Sequence, residues 1–269
     1  MTLAIANARM YSATPIVREH WKLLLAWVLD RAELDWEVVD YDPPAALSAL
    51  WARDDLGAVL MCGLPFSRRR PAAQPVAAPI PSPSRYGGQA VYFTDIVVRA
   101  ESTARELSDT FDGTVGFTVP DSLSGAVALA EHLKPYRAAK GGPLYRSVVG
   151  GLIHARGVIE ALSEGRIDVG PLDSYYHDLL RASDPHFAAR VRVIASTVAR
   201  PLPLFVATAA LDPVTLGRLR AAFAASADST ELAATRQALL LTGFAFPQSS
   251  HYDGLRAITH RIDQPSEVF

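Results

Sequence analysis

A β-α-β-α-β run opens the chain, breaks off in a proline-rich passage, and then starts again. Short apolar runs at 3–8, 36–41 and 57–62 alternate with helical spacing at 15–30, where Ile16, His20, Leu23, Leu24, Trp27 and Val28 share a face, and at 45–51. Strands alternating with helices in this way specify a parallel sheet with helices on its faces. Residues 65–84 carry six prolines, which limits that passage to extended segments and loops. A long strand is expected at 88–100, and then the alternation resumes. Strands are expected at 113–119, 145–149, 167–170 and 191–196, with helices at 122–133, 152–164 and 174–182 between them. A further strand at 204–208 precedes helices at 212–225 and 229–241. The tail from 243 reads as irregular, with a short helix near 254–261. The simplest topology is two α/β lobes, one inserted in the other: 1–96 with 204–269 forms the first, and 97–203 the second. The strands before and after the insertion cross between them, and ligand sites in such folds fall at carboxyl ends of strands, here in the cleft between lobes.

The 269 residues include 26 Lys and Arg against 28 Asp and Glu, a net charge of −2. No global basic field exists for nucleic acid. Twenty-three of the basic residues are Arg, and the run Arg68, Arg69, Arg70 reads as a solvated loop. One cysteine, Cys62, excludes an intrachain disulfide and a Cys-rich zinc site. The seven His show no i, i+4 pairing, so neither a metal nor a cofactor is expected. The longest uncharged apolar run, 23–29, is far too short to span a membrane. No basic n-region precedes the first apolar run, so as written the chain reads as cytoplasmic, and as periplasmic if a leader was omitted.

Three strand-to-helix turns carry the chemistry. In GFTVPDSLSG (116–125), Ser122, Ser124 and Gly125 open a helix, the arrangement that aims N–H groups and hydroxyls at an anion. Ser122 is equally what an ordinary N-cap requires. In VVGGLIHARG (148–157), Gly150 and Gly151 permit close backbone approach. His154 in the first helical turn and Arg156 are either anion donors or solvated side chains. In GRIDVGPLDSYY (165–176), Asp173 is a site acid or a helix cap, and Tyr175 suits a ligand wall. Turns after the first and third strands offer Tyr11, Ser12 and Gly63. Nucleophile elbow, phosphate loop and dinucleotide fingerprint are all missing from the sequence.

At these segments, DGTVGFTVPDSLSGAVALAEHL and GGLIHARGVIEALSEGRIDVGPLDSYYHDLL, with the return passage VRVIASTVARPLPLFVAT, the chain resembles the phosphonate- and sulfonate-type substrate-binding family of ABC transporters. The resemblance implies a two-lobed α/β clamp of the type 2 periplasmic-binding-protein fold, closing on its ligand about two crossing strands. It implies a small oxyanion (phosphate, phosphonate or sulfonate) as ligand, a permease and an ATPase as partners, and no catalysis. It maps the anion-gripping loop onto Ser122, Leu123 and Ser124, the helix-start histidine onto His154, and an aromatic wall onto Tyr92. An acid that grips a ligand amine would fall near Tyr175, with Asp173 beside it. A second would fall within 200–203, which has no acid, and this argues against an aminoalkylphosphonate. Enzymes of menaquinone and thiamine-pyrimidine biosynthesis share the fold, so a cytoplasmic enzyme with His154 and Asp173 as acid–base pair is the alternative.

Overall fold

The computed structural model describes residues 4–42, 44–258 and 269. In chain order, β1 (Ile5–Asn7) leads to α1 (Pro15–Arg31), β2 (Glu37–Val38), α2 (Leu47–Trp51), β3 (Leu56–Met61), α3 (Gly63–Arg68) and β4 (Gln74–Pro81). Next come β5 (Val91–Tyr92), β6 (Thr94–Arg99), β7 (Thr114–Gly116), α4 (Ala128–Lys140), β8 (Ser147–Val149), α5 (Ala155–Ser163), β9 (Gly170–Asp173), α6 (Ser174–Ser183), α7 (Pro185–Ala188), β10 (Val191–Ser196) and β11 (Arg200–Pro201). The chain ends with β12 (Leu204–Ala207), α8 (Pro213–Ala225), α9 (Ala233–Ala238), β13 (Leu241–Ala245) and α10 (Asp253–Arg256). It divides into two units: residues up to Val91 with Pro201–Ala257, and Tyr92–Arg200 with Ile258 and Phe269.

Unit 1 is built on a six-stranded sheet of order β13-β4-β12-β3-β1-β2. β1 pairs in parallel with both β2 and β3, whereas β12 runs antiparallel to β3 and β4. Every residue of β3 is buried, as expected of a strand covered on both faces. α1 starts at Pro15, and the Thr14 hydroxyl accepts the Val17 N–H. It buries Val17, Trp21, Leu24, Leu25 and Val28 and packs beside α8 and α9. β4 sits between β12 and β13 despite three prolines. Pro75, Pro79 and Pro81 are spaced in steps of two, so their missing donors share one edge of the strand. β12 pairs only with the stretch from Gln74 to Ala77, and Pro79 and Pro81 lie past its end.

Unit 2 has a three-stranded antiparallel sheet, β10-β6-β9, and a parallel pair, β7-β8. An isolated parallel bridge between Val115 and Val169 continues from β7 to the segment entering β9. Its core holds Ile96, Val98, Val115, Phe117, Leu129, Leu133, Leu144, Val169 and Phe269. Phe269 is fully buried. It stacks on Phe117 at 5.7 Å between ring centroids, and its carbonyl accepts the Leu144 N–H at 2.8 Å.

Several elements differ from the sequence expectation. The expected strand at 88–100 is broken at Phe93 into β5 and β6. The 122–133 helix opens with a π turn and runs on to Lys140. The 167–170 strand shifts forward to Gly170–Asp173. The proline-rich passage contains α3, which tolerates Pro65 in its first turn, where the N–H has no helical partner. The expected 229–241 helix is only Ala233–Ala238, because Leu240 turns at φ +50 and the next residues pair with β4 as β13. Arg69 is not solvated: its guanidinium donates to the carbonyls of Trp51 and Arg53 at the end of α2. Phe269 packs in unit 2, not with the lobe formed by the N-terminal strands. Of the tail helix expected near 254–261, the described part is Asp253–Arg256, and 259–261 lie outside the described residues, as does Leu3 of the first strand.

Asp55, Asp109 and Asp212 contribute to stability at acid pH. Asp55 is held below its ordinary 3.8 by its bond to Arg53, Asp109 by the N–H groups of Arg105 and Glu106, and Asp212 by those capping α8. A depressed folded value gives stability that is present above the unfolded 3.8 and lost as pH falls through the lower folded value. Circular-dichroism melts are expected to show Tm falling as pH drops below about 3.8. Asp212→Asn, which keeps an oxygen acceptor at the cap, should shrink that fall.

Candidate anion-binding site

In unit 2 the segment after β7 folds back on itself before the helix begins. The Thr118 N–H donates to the Gly125 carbonyl at 2.9 Å, and the Ser122 hydroxyl accepts the Gly125 N–H at 3.0 Å. The π turn Leu123–Val127 follows, its Val127 N–H reaching Ser122 O at 3.0 Å, and α4 continues from it. The first N–H groups of such a helix have no intrahelical acceptor and carry the positive end of the helix dipole. The Ser122 hydroxyl hydrogen is not used in its bond to Gly125, and it can be donated outward. A Cβ on Gly125 would lie 1.9 Å from Thr118 Oγ1 and 2.8 Å from Ser122 Oγ, so the fold-back requires glycine.

Ser124 has a different role from the one its neighbour plays. It is buried, and its hydroxyl donates to Asp173 Oδ2 at 3.2 Å. Its carbonyl accepts the Thr94 hydroxyl at 3.0 Å. The Asp173 cap is engaged on both oxygens: Oδ1 takes the N–H groups of Tyr175 and Tyr176 at 3.0 and 3.1 Å. Asp173 therefore ties the start of α6 to the loop. Leu123 and Tyr175 are fully buried.

His154 caps α5; it does not lie in the first turn. Its Nδ1 accepts the Gly157 N–H at 3.1 Å, which leaves the ring proton on Nε2. Ile153 before it adopts φ +63, a costly conformation for a β-branched residue. The Phe117 N–H donates to Val149 O and the Leu152 N–H to Phe117 O, so this loop and the Ser122 loop are side by side at the carboxyl ends of two parallel strands. Arg156 is committed to structure, bonded to Asp184 at 3.2 Å and stacked 3.9 Å over the Phe187 ring. The Tyr176 phenol is pushed up to about 12 by burial, which keeps it a neutral hydroxyl.

Unit 2 thus brings Ser122, Leu123, Ser124, Gly125, His154, Asp173 and Tyr175 into one group of loops. Tyr92 is buried in β5, which pairs with β11. In unit 1, Tyr11, Ser12 and Gly63 follow the adjacent parallel strands β1 and β3. Tyr11 is fully buried and its carbonyl accepts the Trp21 indole N–H. Ser12 donates to Ala8 O, and a Cβ on Gly63 would meet Leu255 and Tyr252 at 2.9 Å. These are contacts that the three make within their own unit. Sequence reasoning missed Thr94 and Thr118. Their signal was two polar residues, Thr94 and Asp95, interrupting an apolar strand, and a hydroxyl within the loop motif itself. No group of His, Cys, Asp and Glu that could hold a metal occurs among the described residues, and no helix among them is long and apolar enough to cross a membrane.

Residues 12–252 match the family model of the phosphonate ABC transporter periplasmic substrate-binding proteins. The chain belongs to this family. Members are binding components of transporters, not enzymes, so the menaquinone- or thiamine-type alternative is set aside. Among solved structures the chain is similar to a binding-protein component of an ABC phosphonate transporter from Pseudomonas aeruginosa, with TM-score 0.76, 14% identity, and 95% and 85% of the two chains covered. It is similar to PhnD1 from Prochlorococcus marinus in complex with methylphosphonate, with TM-score 0.75, 14% identity, and 95% and 96% covered. A Xanthomonas citri protein bound to a chloride ion gives TM-score 0.70 at 19% identity, with 96% and 97% covered. The Pseudomonas and Prochlorococcus structures support the type 2 periplasmic-binding-protein fold, with its two α/β lobes. No curated protein matches the chain by sequence.

Proposed function

We propose that this solute-binding protein takes a small tetrahedral oxyanion, a phosphonate or phosphate without an ammonium group, at Ser122 and the π turn that opens α4, and delivers it to an ABC permease and its ATPase from the periplasmic side. The observation that carries the reading is the loop itself: Ser122 presents a hydroxyl beside first-turn N–H groups that have no intrahelical acceptor. His154 lies on the adjacent loop, where its Nδ1 accepts the Gly157 N–H and Nε2 is the ring nitrogen left to donate. Hydrogen bonds from neutral donors to a charged ligand are the strong kind, and a helix N-terminus needs no cation to hold an anion.

The choice against an amine follows from Asp173. Its two oxygens are occupied by the Ser124 hydroxyl and two N–H groups. An ammonium would have to share this buried carboxylate with three donors already on it. Arg200, Pro201, Leu202 and Pro203 supply no second acid. Methylphosphonate, the ligand named for the Prochlorococcus relative, fits these requirements.

Isothermal calorimetry with methylphosphonate, inorganic phosphate, methanesulfonate and 2-aminoethylphosphonate tests the reading. Binding of methylphosphonate or phosphate over the amine-bearing compound is expected. Ser122→Ala should weaken the favoured ligand by about 1–3 kcal/mol, the worth of a hydrogen bond to a charged group. It should lower stability by about 1 kcal/mol through the lost cap. Unchanged affinity in Ser122→Ala would show that the hydroxyl is only a cap. Tighter binding of 2-aminoethylphosphonate would refute the argument from Asp173.

A further inference from the structure

Buried polar side chains of unit 2 are concentrated in one belt. Thr94, Asp95, Thr118, Ser124, Asp173, Ser174, His177, Asp178 and Thr197 are all buried. Asp95 and His177 are the two titratable members that are fully inaccessible. Asp95 is on β6, the middle strand of its sheet; His177 is on α6. His177 Nδ1 is 3.1 Å from Asp95 Oδ2, and the Ser196 hydroxyl donates to Asp95 Oδ1 at 2.9 Å. Among the described residues His177 Nε2 has no hydrogen-bond partner, so the polar anchor of this ring is Asp95. The order Ser–Asp–His puts the carboxylate in the middle. A nucleophile relay needs the imidazole there, so the cluster is not catalytic.

An acid and an imidazole removed from water cost several kcal/mol unless paired, and an apolar core of the same volume serves stability as well. What the pair does provide is a fixed distance between β6 and α6. Each of those elements also holds the anion loop. The residue before Asp95 is Thr94, whose hydroxyl bonds the Ser124 carbonyl. One helical turn before His177 is Asp173, which bonds the Ser124 hydroxyl. Thr94 and Asp173 are also register partners in the sheet, and Ser174 and Phe93 exchange two bonds beside them, both 3.0 Å long. Thr197, the residue after β10, closes the belt with two bonds to the Thr94 backbone.

We propose that the His177–Asp95 pair is the positioning device of the anion loop: it locks α6 to β6 so that Asp173 and Thr94 grip Ser124 from two sides, which sets the direction of the helix N–H groups. His177 and Asp95 touch no ligand and act through Ser124. The affinity part of this inference rests on the oxyanion reading above; the positioning part does not.

The variants that test it are His177→Leu, which fills the space without a donor, and His177→Asn, whose amide N–H reproduces the Nδ1–H. The first readout is hydrogen–deuterium exchange of the ligand-free protein over residues 118–128, with the carboxyl half of α4 as internal control. His177→Leu is expected to speed exchange of the Gly125 and Val127 amides at least tenfold while the control is unchanged; His177→Asn should stay within threefold of the parent. The second readout is affinity for methylphosphonate and inorganic phosphate, expected to fall at least tenfold in His177→Leu and to recover in His177→Asn. A folded His177→Leu with parental exchange in the loop overturns the proposal, as does failure of His177→Asn to rescue. If His177→Leu does not fold, Ser196→Ala loosens Asp95 from its other side, and the same loop-specific acceleration is expected; its absence overturns the proposal. Faster loop exchange in a protein that binds neither compound would uphold the positioning role while removing the oxyanion reading.

Discussion

Gly125→Ala is expected to weaken oxyanion binding by about 100-fold, or about 2.7 kcal/mol. The added Cβ would lie 1.9 Å from Thr118 Oγ1 and 3.0 Å from Thr118 Cβ. Thr118 is buried and β-branched, so it has no free rotamer into which to retreat. The loop must open instead. Opening it breaks the bond from Thr118 N–H to Gly125 O and that from Gly125 N–H to Ser122 Oγ. The donors then no longer converge. Overpacking should also lower stability, by about 1–3 kcal/mol. Calorimetry with methylphosphonate and phosphate gives the first number, and urea denaturation the second. Thr118→Ala in the Gly125→Ala background removes the closest contact and should restore part of the stability, a coupling that a double-mutant cycle reads directly. Parental affinity in Gly125→Ala would show that the ligand does not use this loop.

Local pattern told most of this architecture and little of the site's wiring. The alternation of apolar runs with helical spacing is a short-range signal, and β1, α1, β3, α6, β10 and α8 form where it indicates. β13 was hidden because its Ala- and Leu-rich approach favours helix. Only pairing with β4, some 160 residues earlier, makes residues 241–245 a strand. The proline-rich passage was legible as extended but not as an interior strand: Pro75 lies within the pairing to β12, whereas Pro79 and Pro81 lie past its end. In the loop, Ser122 and Ser124 look alike in the sequence. Tertiary partners separate them: Ser122 bonds three residues away and keeps its proton, whereas Ser124 gives its proton to Asp173, 49 residues on. Asp173 looked like either a site acid or a cap, and the structure gives it the cap with one extra bond. Thr94 was unreadable as part of the loop because nothing local links a strand residue to a carbonyl 30 positions ahead.

Phe269→Ala is expected to destabilise unit 2 by about 3–5 kcal/mol, the usual cost of deleting a fully buried phenyl ring. The ring stacks on Phe117 in the unit 2 core, and Phe117 directly precedes Thr118 of the Ser122 loop. The distribution of tryptophan makes the effect separable. All four, Trp21, Trp27, Trp36 and Trp51, belong to unit 1, whereas the helices contributing to circular dichroism are in both units. In urea, indole fluorescence should therefore keep its parental midpoint in Phe269→Ala. Far-UV circular dichroism should acquire an earlier transition from unit 2. Such non-coincidence is the signature of units that unfold separately. A saturating oxyanion that binds unit 2 adds RT ln(1 + [L]/Kd) to it, about 2.7 kcal/mol at one hundred times Kd, and should move the early transition back toward the parental one. If both probes instead retain parental midpoints, Phe269 carries no core energy and its stacking on Phe117 is incidental to the fold. If both shift together by the full amount, the two units unfold as one cooperative body, and the loss in unit 2 is shared by the whole chain.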